Sequence, residues 1–258
     1  MSVLNRLQPY FSALRFLTIL PVPEAWCGGQ ESFRKSPDWY PLVGLTIGLS
    51  AALFDLLMRL LLPLPAASVM VLIFLIAITG ALHMDGLADS ADAFFSSRGR
   101  ERMLEIMKDS CAGPMGVTAI VLVLLLKLSL LTALPQQLRF EVLVLMPLCG
   151  RCSISLLSYR LPYARPEGGT AAFTNDTAGS GRVLVALLVL TVGSLALLGG
   201  AKGLLVIVAT IATSVFLGGY CLKKIGGYTG DTLGACCELV DLVPLLVVVV
   251  LARVGGWA

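Results

Sequence analysis

The sequence predicts an all-α protein: a polytopic integral membrane helix bundle of about seven transmembrane helices, preceded by an N-terminal amphipathic helix. Three observations lead there. Of the 258 residues, 57% are hydrophobic and only 14% charged, with a mean hydropathy of +0.89, whereas soluble domains carry roughly 25% charged residues. Apolar stretches of about 20 residues, the length that crosses a bilayer as a helix, recur along the chain. The connections between them alternate between rich and poor in Lys and Arg. No internal repeat and no polar linker divides the chain, so residues 1–258 read as a single membrane-embedded domain.

Taken in order, the first segment, "MSVLNRLQPYFSALRFLTILPVP", does not read as a convincing signal peptide: Arg15 interrupts its apolar run and no small-residue cleavage site follows. Leu7, Phe11, Leu14 and Thr18 share one helical face, which predicts an interfacial or packed amphipathic helix. Spans follow at 41–62, 66–82, 116–134, 141–158, 183–200, 203–222 and 239–254. The second is short, so the acidic segment after it is expected to continue the same helix beyond the hydrocarbon. Lys and Arg in successive connections number 4, 0, 4, 1, 3, 1, 2 and 1. By the positive-inside rule this places the N-terminus and every long polar connection in the cytoplasm, so the working face is expected there.

Three cations remain within spans. Arg59 and Lys127 can snorkel, but Arg151 lies nearer mid-span and needs a carboxylate or an anionic ligand. Seven cysteines (Cys27, Cys111, Cys149, Cys152, Cys221, Cys236, Cys237) are scattered through apolar segments and read as buried thiols, the lone "CGRC" included. The net charge of +3 says little by itself, its distribution says more, and no nucleic-acid partner is expected.

Chemistry concentrates in four stretches. In "HMDGLADSADAF" (83–94), Asp85, Asp89 and Asp92 recur at helical spacing and point together. Such a cluster beside a span calls for a cation, and oxygen ligands suit Mg²⁺, Mn²⁺ or Ca²⁺. The small residues Gly86, Ala88 and Ala91 admit a second helix or a bulky ligand. In "GGYTGDTLGACCEL" (226–239), Asp231 and Glu238 repeat the pattern of acids and small residues, so the two elements could close on one another. Gly226, Gly227 and Gly230 allow backbone angles that could turn N–H groups toward phosphate. In "RERMLEIMKDSCAGPMG" (100–116), Arg100, Arg102 and Lys108 supply positive charge, Asp109 a further carboxylate, and "GPMG" a helix break. In "RLPYARPEGGTAAFTNDTAGSGR" (160–182), Arg165 and Arg182 could clamp an anion. His83, the one histidine, could act as a base, a donor to phosphate or a packed helix-end residue. Carboxylates for a metal beside cations for anions are the parts of phosphoryl transfer.

In this order and between these spans, "HMDGLADSADAFF", "RERMLEIMKDSCAGPMG", "RLPYARPEG" and "GGYTGDTLGACCEL" resemble the cobalamin synthase family, the adenosylcobinamide-GDP ribazoletransferases, over nearly the whole chain. "LRFLTILPVP" is similar to the family's usual start. The resemblance implies an enzyme of the bacterial inner membrane that joins α-ribazole, or its 5′-phosphate, to adenosylcobinamide-GDP with release of GMP. It implies Mg²⁺ as cofactor, held on the diphosphate by Asp85, Asp89 and Asp231, with Glu238 and Asp109 as further ligands. Asp92 or His83 would take the proton of the attacking ribose 5′-hydroxyl, and Arg100, Lys108, Arg165 and Arg151 would contact phosphates. Association with a second copy or with other cobalamin-assembly enzymes also fits. Where the family often has Gly-x-Gly after its Tyr-Ala-Arg, this chain has Gly168-Gly169-Thr170.

Two other classes compete. A CDP-alcohol phosphotransferase motif would need Ala and Arg where Asp89 and Ser90 stand, and a prenyltransferase would need a second Asp-rich copy in place of Gly230-Asp231-Thr232. A cation transporter would need acids near the midplane, and Asp55 is the main one placed there.

Overall fold

The computed structural model describes residues 3–109, 111–165 and 180–255. Among them the regular structure is helical, apart from one bridge between Tyr163 and Tyr228. Six helical stretches are long and apolar enough to cross a bilayer: Gly29–Leu61, Pro114–Ala133, Gln136–Arg160, Gly181–Leu198, Gly200–Ile225 and Gly230–Arg253. A bent helix pair makes a seventh candidate.

Helix α1 (Val3–Leu17) packs against the bundle through Ala13, Leu14 and Leu17. Just past its end the Thr18 hydroxyl donates to the Leu14 carbonyl. The short α2 (Gly29–Lys35) leads through a turn into α3 (Tyr40–Leu61). The axis of the bundle is α8 (Arg139–Arg160), whose spanning stretch is 83% buried, against 28% for α7 (Pro114–Ala133). Lipid solvates apolar side chains as well as protein does, so helices in a bilayer associate where small residues let backbones meet. Here a β-carbon on Gly44 would lie 2.5 Å from the Pro147 carbonyl oxygen, and one on Gly48 2.3 Å from that of Val144. Helices α9 (Ser180–Leu198) and α10 (Gly200–Ile225) complete the wrap, and Cys149 and Cys152 lie buried within it as free thiols.

The second expected span departs from the sequence reading. Helix α4 (Leu64–Ile78) does not continue into the acidic segment; α5 (Leu82–Phe94) leaves it at 89°. Gly80 and Ala81 both adopt left-handed angles, φ 58° and 59°. The Gly80 and Ala81 amides donate back to Ala77 and Ile76, a C-terminal cap that ends one helix and aims the next elsewhere. The Ile19 amide donates to the freed Ile78 carbonyl at 2.9 Å, which pins the N-terminal segment to the bend. The last span also differs, because the helix begins in the second acidic motif. Helix α11 (Gly230–Val240) runs into α12 (Leu242–Arg253) with a break at Asp241.

Asp55 proves to be a structural ion. Arg139 donates to both of its oxygens at 2.8–3.0 Å and also to Ser68 Oγ and the Leu131 carbonyl. Arg59 Nε adds a contact at 2.8 Å. One acid thus ties α3, α4, α7 and α8 together, and the main support for a transporter reading is gone. Removing one partner of a buried pair leaves an uncompensated charge at about 3–5 kcal/mol. Arg139→Leu is therefore expected to lower the thermal midpoint of the purified protein strongly, and the double variant Asp55→Leu/Arg139→Leu to recover much of the loss. Equal midpoints for the two would refute this account.

Candidate active site

The two acidic motifs meet because their small residues face each other. A β-carbon on Gly86 of α5 would lie 2.6 Å from the Asp231 carbonyl oxygen, and one on Gly234 of α11 3.2 Å from the His83 α-carbon. The register 86-to-231 and 83-to-234 makes the helices antiparallel. Asp231 therefore arrives beside the Asp stripe, and Asp89 interacts with Asp85, Asp231 and Asp92 as well as with Arg165. Asp85 is exposed and Asp89 half-buried. Thr229 caps α11 through a reciprocal exchange with Thr232, which fixes the turn that presents Asp231.

Arg165 reaches the same point from the other side: its Nη2 donates to Asp231 Oδ2 at 2.6 Å. Two segments brace it, the Ala164 amide donating to the Tyr228 carbonyl and the Tyr228 amide to that of Pro162. A β-carbon on Gly227 would come within 2.1 Å of the Pro162 oxygen, so this glycine serves close backbone approach. Of the amides expected to turn toward phosphate, that of Gly226 is spent on the Leu222 carbonyl, and the neighbouring Tyr228 amide on that of Pro162. Gly226, at φ 74°, ends α10. Arg100 is exposed, lies against Gly226 and donates to the Ala164 carbonyl at 3.3 Å, beside the Arg165 segment. It opens the short helix α6 (Arg100–Ile106), and Lys108 beyond it is exposed. Residues 166–179, with Gly168-Gly169-Thr170, lie outside the described residues.

Five other expected roles change with the geometry. Asp92 accepts from the Gly113 and Gly116 amides at 2.6 and 2.9 Å. It caps α7, where a helix N-terminus favours a negative charge, so its oxygens are engaged by the cap. β-Carbons at Gly113 and Gly116 would fall 2.5 and 2.4 Å from its oxygens, which is why "GPMG" carries those glycines. Asp109 is exposed and accepts from the Cys111 amide in its own loop rather than joining the cluster. Glu238 lies two helical turns from Asp231, buried and paired with Lys127. Arg151 is buried too, with Asp241 at 3.5 Å and His83 Nδ1 at 3.2 Å. A guanidinium only donates, so His83 Nδ1 accepts and Nε2 carries the proton, which makes His83 a donor rather than a base.

Asp241 is the site-supporting residue the sequence reading passed over. It completes a buried set of two cations and two anions, with Lys127 at 3.7 Å, and Gly150 leaves room for it: a β-carbon there would fall 2.0 Å from Asp241 Oδ1. Its signal was the Glu238-x-x-Asp241 step together with Lys127 and Arg151 inside spans.

The description cobalamin-5-phosphate synthase matches residues 9–249. The chain belongs to this family. It is 38% identical over 254 residues to the adenosylcobinamide-GDP ribazoletransferase of Geotalea daltonii, covering 97% of this chain and 99% of that protein. No solved structure matches it.

In this cobalamin synthase family member, oxygen donors at Asp85, Asp89 and Asp231 suit a hard divalent cation, although among the described residues no three His, Cys, Asp or Glu side chains stand together as a ready metal cage.

The capping role of Asp92 is open to test. Asp92→Asn is expected to cost about 1–3 kcal/mol of stability through the weakened cap, with activity falling in step with the folded fraction. Full stability with a collapsed kcat would restore Asp92 to proton transfer.

Proposed function

We propose that this chain is a magnesium-dependent adenosylcobinamide-GDP ribazoletransferase of the bacterial cytoplasmic membrane, with its acidic cleft on the cytoplasmic side. The meeting of Asp85 and Asp89 with the Arg165–Asp231 pair carries the reading, because it sets carboxylates for a cation beside a cation for phosphate. Family membership and the ribazoletransferase name of the relative support it. The alternation of Lys and Arg supports the sidedness.

In the reaction, a ribose hydroxyl of α-ribazole attacks the phosphorus that bears cobinamide. The new P–O bond forms as the bond to the bridging oxygen breaks, and GMP leaves with that oxygen. If the 5′-phosphate of α-ribazole also serves, the attacking oxygen is a secondary hydroxyl, since the 5′ oxygen is then taken. Asp85, Asp89 and Asp231 would hold the magnesium ion, whose contribution is to offset charge on the diphosphate. Arg165 exchanges Asp231 for a phosphate oxygen, and Lys108 adds a second cation. His83, held by Arg151 with Nε2 protonated, donates. With Asp92 committed to its cap, the hydroxyl proton passes to a carboxylate of the cleft.

Purified protein in liposomes, given adenosylcobinamide-GDP and α-ribazole, is expected to release GMP with Mg²⁺ and not with EDTA. Asp85→Asn should lower the rate by at least about 100-fold while leaving the thermal midpoint in place. Equal rates with EDTA would remove the metal from the reading, and no corrinoid product from folded protein would remove the transferase.

A further inference from the structure

Beside the carboxylates lies a cleft of about 200 Å³ whose walls are largely apolar. Phe16, Phe33, Tyr40, Leu82, Ile154 and Leu233 line it, with Arg34, His83, Asp85 and Asp231 also in its lining. Phe16 stacks on Tyr40 (centroids 6.3 Å apart, planes 15° from parallel) and meets Phe33 edge-on at 5.7 Å. Phe16 and Leu82 keep 38% and 40% of their surface uncovered. Such concave apolar surface with a few placed polar groups is the usual make-up of a ligand pocket. Within it the Ser36 hydroxyl, beside that of Tyr40, is buried and has no hydrogen-bond partner of good geometry among the described residues.

We propose that this cleft is the base subsite of the attacking nucleoside: a slot for a planar, apolar, bicyclic aromatic ring. The inference rests on the ribazoletransferase reading, in which that ring is the dimethylbenzimidazole of α-ribazole. The chemistry matches on three counts. The base of such a nucleoside offers one acceptor nitrogen and no donor, and the aromatic walls hold one spare hydroxyl, at Ser36. Guanine carries several polar edge atoms, which the Phe16 and Phe33 rings leave unmet, at a cost for each. A corrin macrocycle is too large for the space. With the ring seated among Phe16, Phe33 and Tyr40, its ribose is directed to Asp85 and Asp231, where the phosphorus must come. The N-terminal helices thus supply recognition of the nucleophile, while α5 and α11 supply the reacting groups.

The test uses the full-length protein in nanodiscs, with α-ribazole binding read by calorimetry and KM measured for each substrate. Losing one stacking ring is worth roughly tenfold in affinity, so Phe33→Ala should raise both the Kd and the KM of α-ribazole by about that factor while the KM of adenosylcobinamide-GDP holds. Phe33→Tyr, which keeps the ring, should restore α-ribazole binding, and Ser36→Ala should weaken it at an unchanged thermal midpoint. A rise confined to the KM of adenosylcobinamide-GDP would give the cleft to the other substrate and overturn the proposal, as would no change in either. If the wild type binds α-ribazole and Phe33→Ala does not, but no GMP is released, the transferase reading fails and the subsite stands. GMP release that is indifferent to Phe33 has the opposite meaning.

Discussion

A β-carbon on Gly86 would overlap the Asp231 backbone, so the contact between α5 and α11 exists only because position 86 has no side chain. Most of the site depends on that contact. It brings the second acidic motif to the first, sets the antiparallel register that pairs Gly234 with His83, and holds Asp231 where Arg165 can reach it. A bilayer gives helices little hydrophobic reason to associate, so such close approach has to come from shape. The same device joins α3 to α8 at Gly44 and Gly48.

Around this contact the charges divide into two kinds. Those below the cleft are spent on each other: Lys127 on Glu238, Arg151 on Asp241 and His83, and Arg139 on Asp55. Each of these residues is buried, and in a low-dielectric interior ions persist only when paired. Those at the cleft are less committed. Asp85 is exposed, Asp89 sits among like charges, and the Arg165–Asp231 pair keeps part of its surface open. The buried set fixes where α5, α7, α8 and α11 lie, and the cleft groups are then free to meet a substrate.

The N-terminal segment closes the arrangement from the side. Its amphipathic helix packs on the bundle, the Ile19 amide fastens it to the bend after α4, and Phe16 and Phe33 face the carboxylates across the cleft. A segment that composition alone would place on the membrane surface becomes a wall of the site.

By itself the sequence determined the helical membrane class, the approximate spans and the residue types that carry the chemistry. Those follow from local quantities: apolar run length, the 3.6-residue period and the cost of unpaired charge near lipid. It also showed that Arg151 needed a partner. Which partner was a matter of tertiary structure, because Asp241 is 90 residues away and only the packing of α8 against α11 and α12 joins them. In the same way, Asp92 looked like one of three equivalent acids until the amides of Gly113 and Gly116 were placed on it, and Glu238 looked like a ligand until Lys127 claimed it. The 89° bend that aims α5 turns on a left-handed Ala81, a conformation that its residue type disfavours and its hydrogen bonds impose. Spacing along one helix tells which side chains point together; what they point at is decided by the helix that packs there.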